Sequence, residues 1–169
     1  MAFDAYACNQ DGQEWDSDEH MLPLDAAIRA TWREAVMEFA RRRGNVITEA
    51  ELDESDYTAC GMLHRRPCFI LAKVTGEPVY RHHNTGFLYW TGEFVQRLQH
   101  ETDWSRAQQL LKDGQFLLNW GYAWNVYDED GEEVLSVQLE LEEFWDDVVR
   151  AQIFLEVCAA NAFWIKFSG

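Results

Sequence analysis

The fold of this chain is decided by residues 116–141, which read FLLNWGYAWNVYDEDGEEVLSVQLEL. Apolar side chains alternate with other side chains over residues 116–126 and again over residues 134–141, and a period of two is typical of strands that bury one face. Between the two runs, an Asp-Glu-Asp-Gly turn signal occupies residues 128–131. We therefore predict an antiparallel hairpin whose strands cover residues 116–126 and 134–141.

Helical periodicity surrounds this hairpin. Apolar residues recur on one stripe over residues 25–43, and Gly44 follows as a C-terminal cap. Thr48 and Glu51 have the spacing of a capping box, which predicts a helix from residue 49 to about residue 60. The same signals predict helices over residues 91–100, from Asp103 to just before Gly114, and from about residue 142.

Shorter apolar segments complete the predicted sheet. A strand is indicated near Tyr6, a second hairpin over residues 68–82 with its turn at residues 75–78, and a closing strand over residues 162–167. Strands grouped in hairpins and helices grouped in runs favour an α+β fold, an antiparallel sheet built from hairpins and packed against several helices. Since the chain has no linker and no repeat, we predict one domain over residues 1–169, in which residues 1–22 form an acidic, partly irregular segment.

The charge of the chain is strongly acidic and unevenly distributed. The 169 residues carry 30 acidic and 14 basic side chains, a net charge of −16. Residues 1–25 hold seven acids and no base (−7), residues 26–112 hold eleven acids and twelve bases (+1), and residues 113–169 hold twelve acids and two bases (−10). Such an excess costs self-repulsion and exceeds what solubility requires. It also disfavours direct nucleic-acid binding, which needs clustered cations.

Two interpretations of the acidic segments remain open, a solvated surface, with some acids placed by helix dipoles, and a surface that faces a partner, and in the second case the partner should be a basic protein. We expect a non-catalytic inhibitor that masks a cationic site, such as an immunity protein or a phage or plasmid anti-defence protein, with a nucleic-acid-acting enzyme or complex as its target. A nucleic-acid mimic is the variant of this hypothesis that requires the acids to gather on one face, because the average charge density is several-fold below that of B-DNA. The residues predicted to bind the partner lie in the hairpin turn and at the start of the last helix: Asp128, Glu129, Asp130, Glu132, Glu133, Glu142, Glu143, Asp146 and Asp147.

The alternative hypothesis is a small enzyme or ligand-binding domain with a pocket between the helices and the 116–126 strand, using His82 or His83. The sequence carries no nucleophile elbow, phosphate-binding loop, dinucleotide fingerprint or zinc-protease motif, so no catalytic residue is assigned. The aromatic stripe of that strand is expected to be core rather than a ligand-stacking face, because aromatic side chains dominate buried area.

Metals, cofactors and membranes are not expected. Cys60, His64 and Cys68 are spaced four residues apart, whereas zinc sites usually contain closer cysteine pairs, so ordinary half-buried cysteines are favoured over a zinc site. No leader pattern opens the chain and no apolar run reaches the length of a membrane span. With its cysteines interpreted as reduced, the protein is predicted to be cytoplasmic.

Overall fold

The computed structural model describes residues 4–14, 30, 33–34, 37–38, 40–41, 44, 46–48, 50–51, 61–79, 88–139 and 141–168, without the side chains of residues 124–126, 133–139, 141–142 and 168. A four-stranded antiparallel sheet contains β1 (Asp4–Cys8), β2 (Met62–Leu63), β3 (Leu88–Trp90) and β6 (Trp164–Ser168) in the order β2-β1-β6-β3. The first and last strands of the chain are therefore neighbours. A separate two-stranded hairpin contains β4 (Ala123–Tyr127) and β5 (Glu133–Leu139).

Five helices have described bounds: α1 (Arg65–Thr75), α2 (Gly92–Glu101), the short α3 (Ala107–Leu110), α4 (Gly114–Asn119) and the long α5 (Leu141–Ala160), and a 3-10 turn at Trp104–Arg106 precedes α3. Of these, α1, α2 and α5 contact the four-stranded sheet. Both α1 and α2 pack against α5.

Alternate strand residues bury one face of the sheet. Ala5, Ala7 and Ile165 have no exposed surface and belong to the same hydrophobic cluster as the helices. The residues between them, such as Tyr6 and Lys166, lie on the opposite face and remain partly exposed. The predicted α+β fold with an antiparallel sheet is thus confirmed.

Three of the local helix signals, at Thr48, Asp103 and Gly44, are confirmed. The Thr48 hydroxyl accepts the Glu51 N–H at 3.2 Å while the Glu51 carboxylate accepts the Thr48 N–H at 2.8 Å, as a capping box requires. Asp103 accepts the Ser105 N–H at 3.0 Å. The described residues between 30 and 41 are helical, and Gly44 follows with φ +77°. The rest of the helix predicted over residues 49–60 lies outside the described residues, as do residues 80–82 of the second predicted hairpin.

The hairpin predicted over residues 68–82 is wrong, because residues 65–75 form α1. An apolar run of seven residues suits a buried helix as well as a buried strand. Pro67 is tolerated in the first helical turn, where its missing N–H has no intrahelical partner. Gly76, at φ +77°, ends the helix by donating its N–H to the Ala72 carbonyl, so the predicted turn is a helix cap.

The strand predicted over residues 116–126 is wrong in its first half, where α4 lies. The Asp113 carboxylate accepts the Phe116 N–H at 3.0 Å and caps this helix at its start, so Gly114 begins a helix instead of ending one. Gly121, at φ +74°, ends it: the Tyr122 N–H bonds the Leu117 carbonyl at 2.9 Å, and the Gly121 N–H bonds the Leu118 carbonyl, which is a Schellman motif. The acidic hairpin itself is confirmed as β4 and β5, as are the last helix and the closing strand.

Candidate functional site

The turn of the β4–β5 hairpin is a compact, internally bonded loop. The Asp128 N–H donates to the Glu132 carbonyl at 2.9 Å, and Gly131, at φ +79°, donates its N–H to the Asp128 carbonyl at 3.0 Å. This is a three-residue loop with glycine in the left-handed conformation. The Asp128 carboxylate also accepts the N–H groups of Asp130 and Glu132, at 3.0 and 2.9 Å. Asp128 therefore holds the loop in shape.

Three other carboxylates of this loop, Glu129, Asp130 and Glu132, are exposed to solvent, and we call them the tip acids. Within the part of the chain that the structure describes, no lysine, arginine or histidine forms an ion pair with a tip acid. The side chain of Glu133, also predicted to bind a partner, lies outside the described residues. The tip acids are thus a group of like charges held on a fixed loop.

The acids predicted at the start of α5 have a different environment. Asp146 is exposed, and the side chain of Glu142 is outside the description. The Glu143 side chain is 51% exposed and accepts a hydrogen bond of 2.9 Å from an Arg66 terminal nitrogen. Asp147, also predicted to bind the partner, is 4% exposed and therefore lies inside the protein instead of among the exposed acids. Even in its first turns, one side of a helix packs against the rest of the protein, and Asp147 lies on that side of α5.

Asp147 is the buried centre of a polar cluster that reaches the surface, which we call the Asp147 cluster: Arg66, Tyr122, Glu143 and Asp147. The Tyr122 hydroxyl donates to the Asp147 carboxylate at 2.5 Å, and the Arg66 Nε lies 3.1 Å from the same carboxylate oxygen. The Arg66 guanidinium also lies over the Tyr122 ring, 4.9 Å from its centroid. One cation thus bridges two carboxylates of α5 that are one helical turn apart.

Burial controls the ionisation of this cluster. Desolvation raises the pKa of Asp147, although the Tyr122 hydrogen bond and the charges of Arg66 and Arg150 oppose the rise. Desolvation and the hydrogen bond to Asp147 also raise the pKa of Tyr122, which keeps its hydroxyl a donor. Burial lowers the pKa of Arg66, but its bond to Glu143 and the charge of Asp147 outweigh that effect and the pKa is raised.

The two groups of predicted acids lie at opposite ends of the hairpin. Ala123 pairs with Leu139 near α5, and Tyr127 pairs with Glu133 next to the turn. Four residue steps of about 3.4 Å separate these pairs by about 14 Å. The two groups of acids are therefore not adjacent along the hairpin. The tip acids face solvent, while Arg66 engages Glu143 and Asp147.

Sequence reasoning missed Arg66 and Tyr122 as members of this cluster. Arg66 precedes Glu143 by 77 residues. No local spacing indicates such a contact, because it depends on how α1 packs on α5. Tyr122 was predicted as a core aromatic residue, and that prediction is confirmed for Phe116 and Tyr122, which are 4% and 0% exposed.

Part of the segment 116–126, weighed as a pocket wall for the alternative hypothesis, packs within the protein. Residues 116–119, expected to form a pocket wall as a strand, belong to α4. Trp120 is engaged on the protein itself, since its ring centroid lies 4.0 Å from that of Phe69 and the Arg65 guanidinium lies 5.0 Å from it. Three surface cavities, of about 370, 460 and 560 Å³, are lined by other residues than 116–126. His82 and His83 lie outside the described residues.

Two of the three residues weighed for a zinc site, Cys68 and His64, differ in their exposure to solvent. Cys68 is buried in α1, and burial raises the pKa of its thiol to about 12, which disfavours the thiolate that zinc binds. His64 is exposed, with its Nδ1 3.8 Å from Asp4, and Cys60 is not among the described residues. Among the residues that the structure describes, no group of three or more metal-binding side chains comes together.

Neither a membrane-spanning helix in the described residues nor a known relative of the chain is found. Within the described ranges, no helix combines the length and the apolar character needed to cross a membrane. No protein family, curated protein or solved structure matches the chain.

Proposed function

We propose that this chain is a non-catalytic acidic binding protein that places its tip acids on a cationic site of a basic partner protein and so masks that site. The single observation that supports the proposal is the state of Glu129, Asp130 and Glu132, which are exposed on an internally bonded loop with no cation paired to them in the described residues. Solubility alone does not require carboxylates at a hairpin tip to be fixed in this way.

The geometry suits recognition of another protein. A loop that is already ordered loses little conformational entropy when it binds. Tyr127, next to the loop, is 61% exposed, and tyrosine is enriched in protein interfaces because it offers a large contact area with a polar end. A partner site that combines lysine or arginine side chains with an apolar shelf would satisfy both features. Immunity proteins and anti-defence inhibitors act on sites of this kind, and a nucleic-acid-acting enzyme is the proposed target class.

Charge density favours protein binding over nucleic-acid mimicry. The surface of 10185 Å² carries a net charge of −16, or one charge per roughly 640 Å². B-DNA displays one charge per roughly 100 Å² of its cylinder. The local tip is richer than the average, but the tip acids and the α5 acids are separated by the length of the hairpin. The proposed mode is therefore a focused contact at the tip.

The test uses two variants of equal charge. The tip variant carries Glu129→Gln, Asp130→Asn and Glu132→Gln, and the matched control carries Asp11→Asn, Glu34→Gln and Glu93→Gln, at exposed positions elsewhere. Each changes the net charge from −16 to −13 (−16 + 3). Wild type and both variants are immobilised and exposed to a lysate of the source cell at two salt concentrations. We expect wild type and control to retain the same basic protein at low salt and the tip variant to lose it. Equal retention by all three would contradict the proposal.

A further inference from the structure

The Asp147 cluster lies where the acidic hairpin joins the rest of the protein. Tyr122 is the residue immediately before β4, and α5, which contains Asp147, begins two residues after β5 ends. The hydrogen bond between Tyr122 and Asp147 therefore joins the segment that enters the hairpin to the segment that leaves it. Arg66 ties this junction to α1, a third element.

The direction of the hairpin depends on this junction. Among the described strands, β4 and β5 pair with each other and not with the four-stranded sheet. Tyr122 is completely buried, its ring packs edge-on against Phe144 with centroids 5.3 Å apart, and its N–H closes the end of α4. A short hydrogen bond to a buried carboxylate fixes both the ring and the chain that follows it.

We propose that Asp147 and Tyr122 are positioning residues, which lock the base of the acidic hairpin to α1 and α5 and so set where the tip acids point. This inference deepens the proposed function and rests on it for its biological meaning. The ionisable groups that act on Asp147 are Arg66 from α1, Tyr122 before β4, and Glu143 and Arg150 from α5. Burial raises the pKa of Asp147, so the fold retains a carboxylate at a position where an apolar side chain would avoid a desolvation cost.

Native-state amide hydrogen exchange of the full chain tests the lock without any partner. The variant Tyr122→Phe removes the hydroxyl and keeps the ring, and Tyr127→Phe is the matched control because Tyr127 is exposed on the same hairpin. We expect amides of residues 123–139 to exchange about ten- to a hundredfold faster in Tyr122→Phe, as the loss of one hydrogen bond to a charged group implies. The control should match wild type.

A variant of Asp147 and a comparison between regions of the chain separate a local lock from a general loss of stability. Asp147→Leu removes the hydrogen-bond acceptor while nearly preserving the shape, and it should also accelerate exchange of residues 123–139 more than exchange of α2 or β6. A merely structural role would accelerate exchange across the whole chain to the same extent, and that outcome, or unchanged hairpin exchange in both variants, would overturn the lock. Since exchange needs no partner, such a failure is distinguishable from failure of the proposed function, which is judged by the tip variant.

Discussion

Replacing Tyr122 with phenylalanine should destabilise the protein measurably although it deletes a single oxygen atom. The ring stays in place against Phe144, so no cavity forms. What is lost is the hydrogen bond of 2.5 Å to Asp147, a residue with only 4% exposure. Hydrogen bonds to charged groups contribute about 1.5–3 kcal/mol. Because the Arg66 Nε remains 3.1 Å from the same carboxylate, we expect the free energy of unfolding to fall by about 2 kcal/mol.

Urea unfolding followed by tryptophan fluorescence measures this change. The denaturant midpoint should fall while the m-value stays constant, which indicates a change in stability rather than in the surface exposed on unfolding. Tyr127→Phe, at a residue 61% exposed, should change the free energy of unfolding by less than about 0.5 kcal/mol.

A double-mutant cycle identifies the partner of the hydroxyl. The effects of Tyr122→Phe and Asp147→Leu should be less than additive, with an interaction energy of about 1 kcal/mol or more. If Tyr122→Phe proved as stable as Tyr127→Phe, or if the two cluster variants were additive, the role assigned to the Tyr122–Asp147 bond would be refuted.

Two other perturbations test the energetics of the same region. The raised pKa of Asp147 means that the native chain binds a proton at this carboxylate more tightly than the unfolded chain does. The stability of wild type relative to Asp147→Asn should therefore fall as the pH rises above about 4. Urea midpoints across pH measure this, and a stability of wild type relative to the variant that rose with pH would contradict the burial of a charged carboxylate. Gly121→Ala places a side chain at φ +74° and should lower the free energy of unfolding by about 1 kcal/mol or more. Gly114→Ala, at a helical position with open space around it, should be neutral or stabilising. Thermal melts of both variants check this, and equal effects on the melting temperature would contradict the helix cap assigned to Gly121.

Local signals in the sequence predict the parts of the fold that local physics decides. Thr48 with Glu51, Thr91 and Asp103 each cap a helix through a contact within three residues, so the capping residue and its partner are both visible in the sequence. The hairpin turn is equally local, because Gly131 and Asp128 meet within the loop.

The errors come from patterns that two structures share. An apolar run such as residues 68–74 can form a strand or a buried helix. From residue 116, apolar side chains recur at every second position although the first of these residues belong to the helix α4. Pro67 with Gly76, and Asp113 with Gly121, were the available signals for the two helices.

In the candidate site, too, the features set by local sequence could be predicted and the features set by packing could not. The exposure of the tip acids follows from a turn that the sequence shows. The burial of Asp147 does not, because it depends on Arg66 and Tyr122 arriving from distant segments. A carboxylate near a helix N terminus is ordinarily a surface group, and only the packing of α1 against α5 makes this one internal.

Whether the tip acids bind the partner is decided by the association rate of the captured basic protein with wild type, the tip variant and the matched control at two ionic strengths. Exposed charges act mainly on association rates, and salt screens that action. We predict that the tip variant associates about tenfold more slowly at low salt and with a weaker salt dependence, while the control, with the same net charge, behaves nearly as wild type. Equal slowing of both variants would show that total charge alone matters, and unchanged rates in both would show that the partner binds elsewhere; either result would contradict the claim.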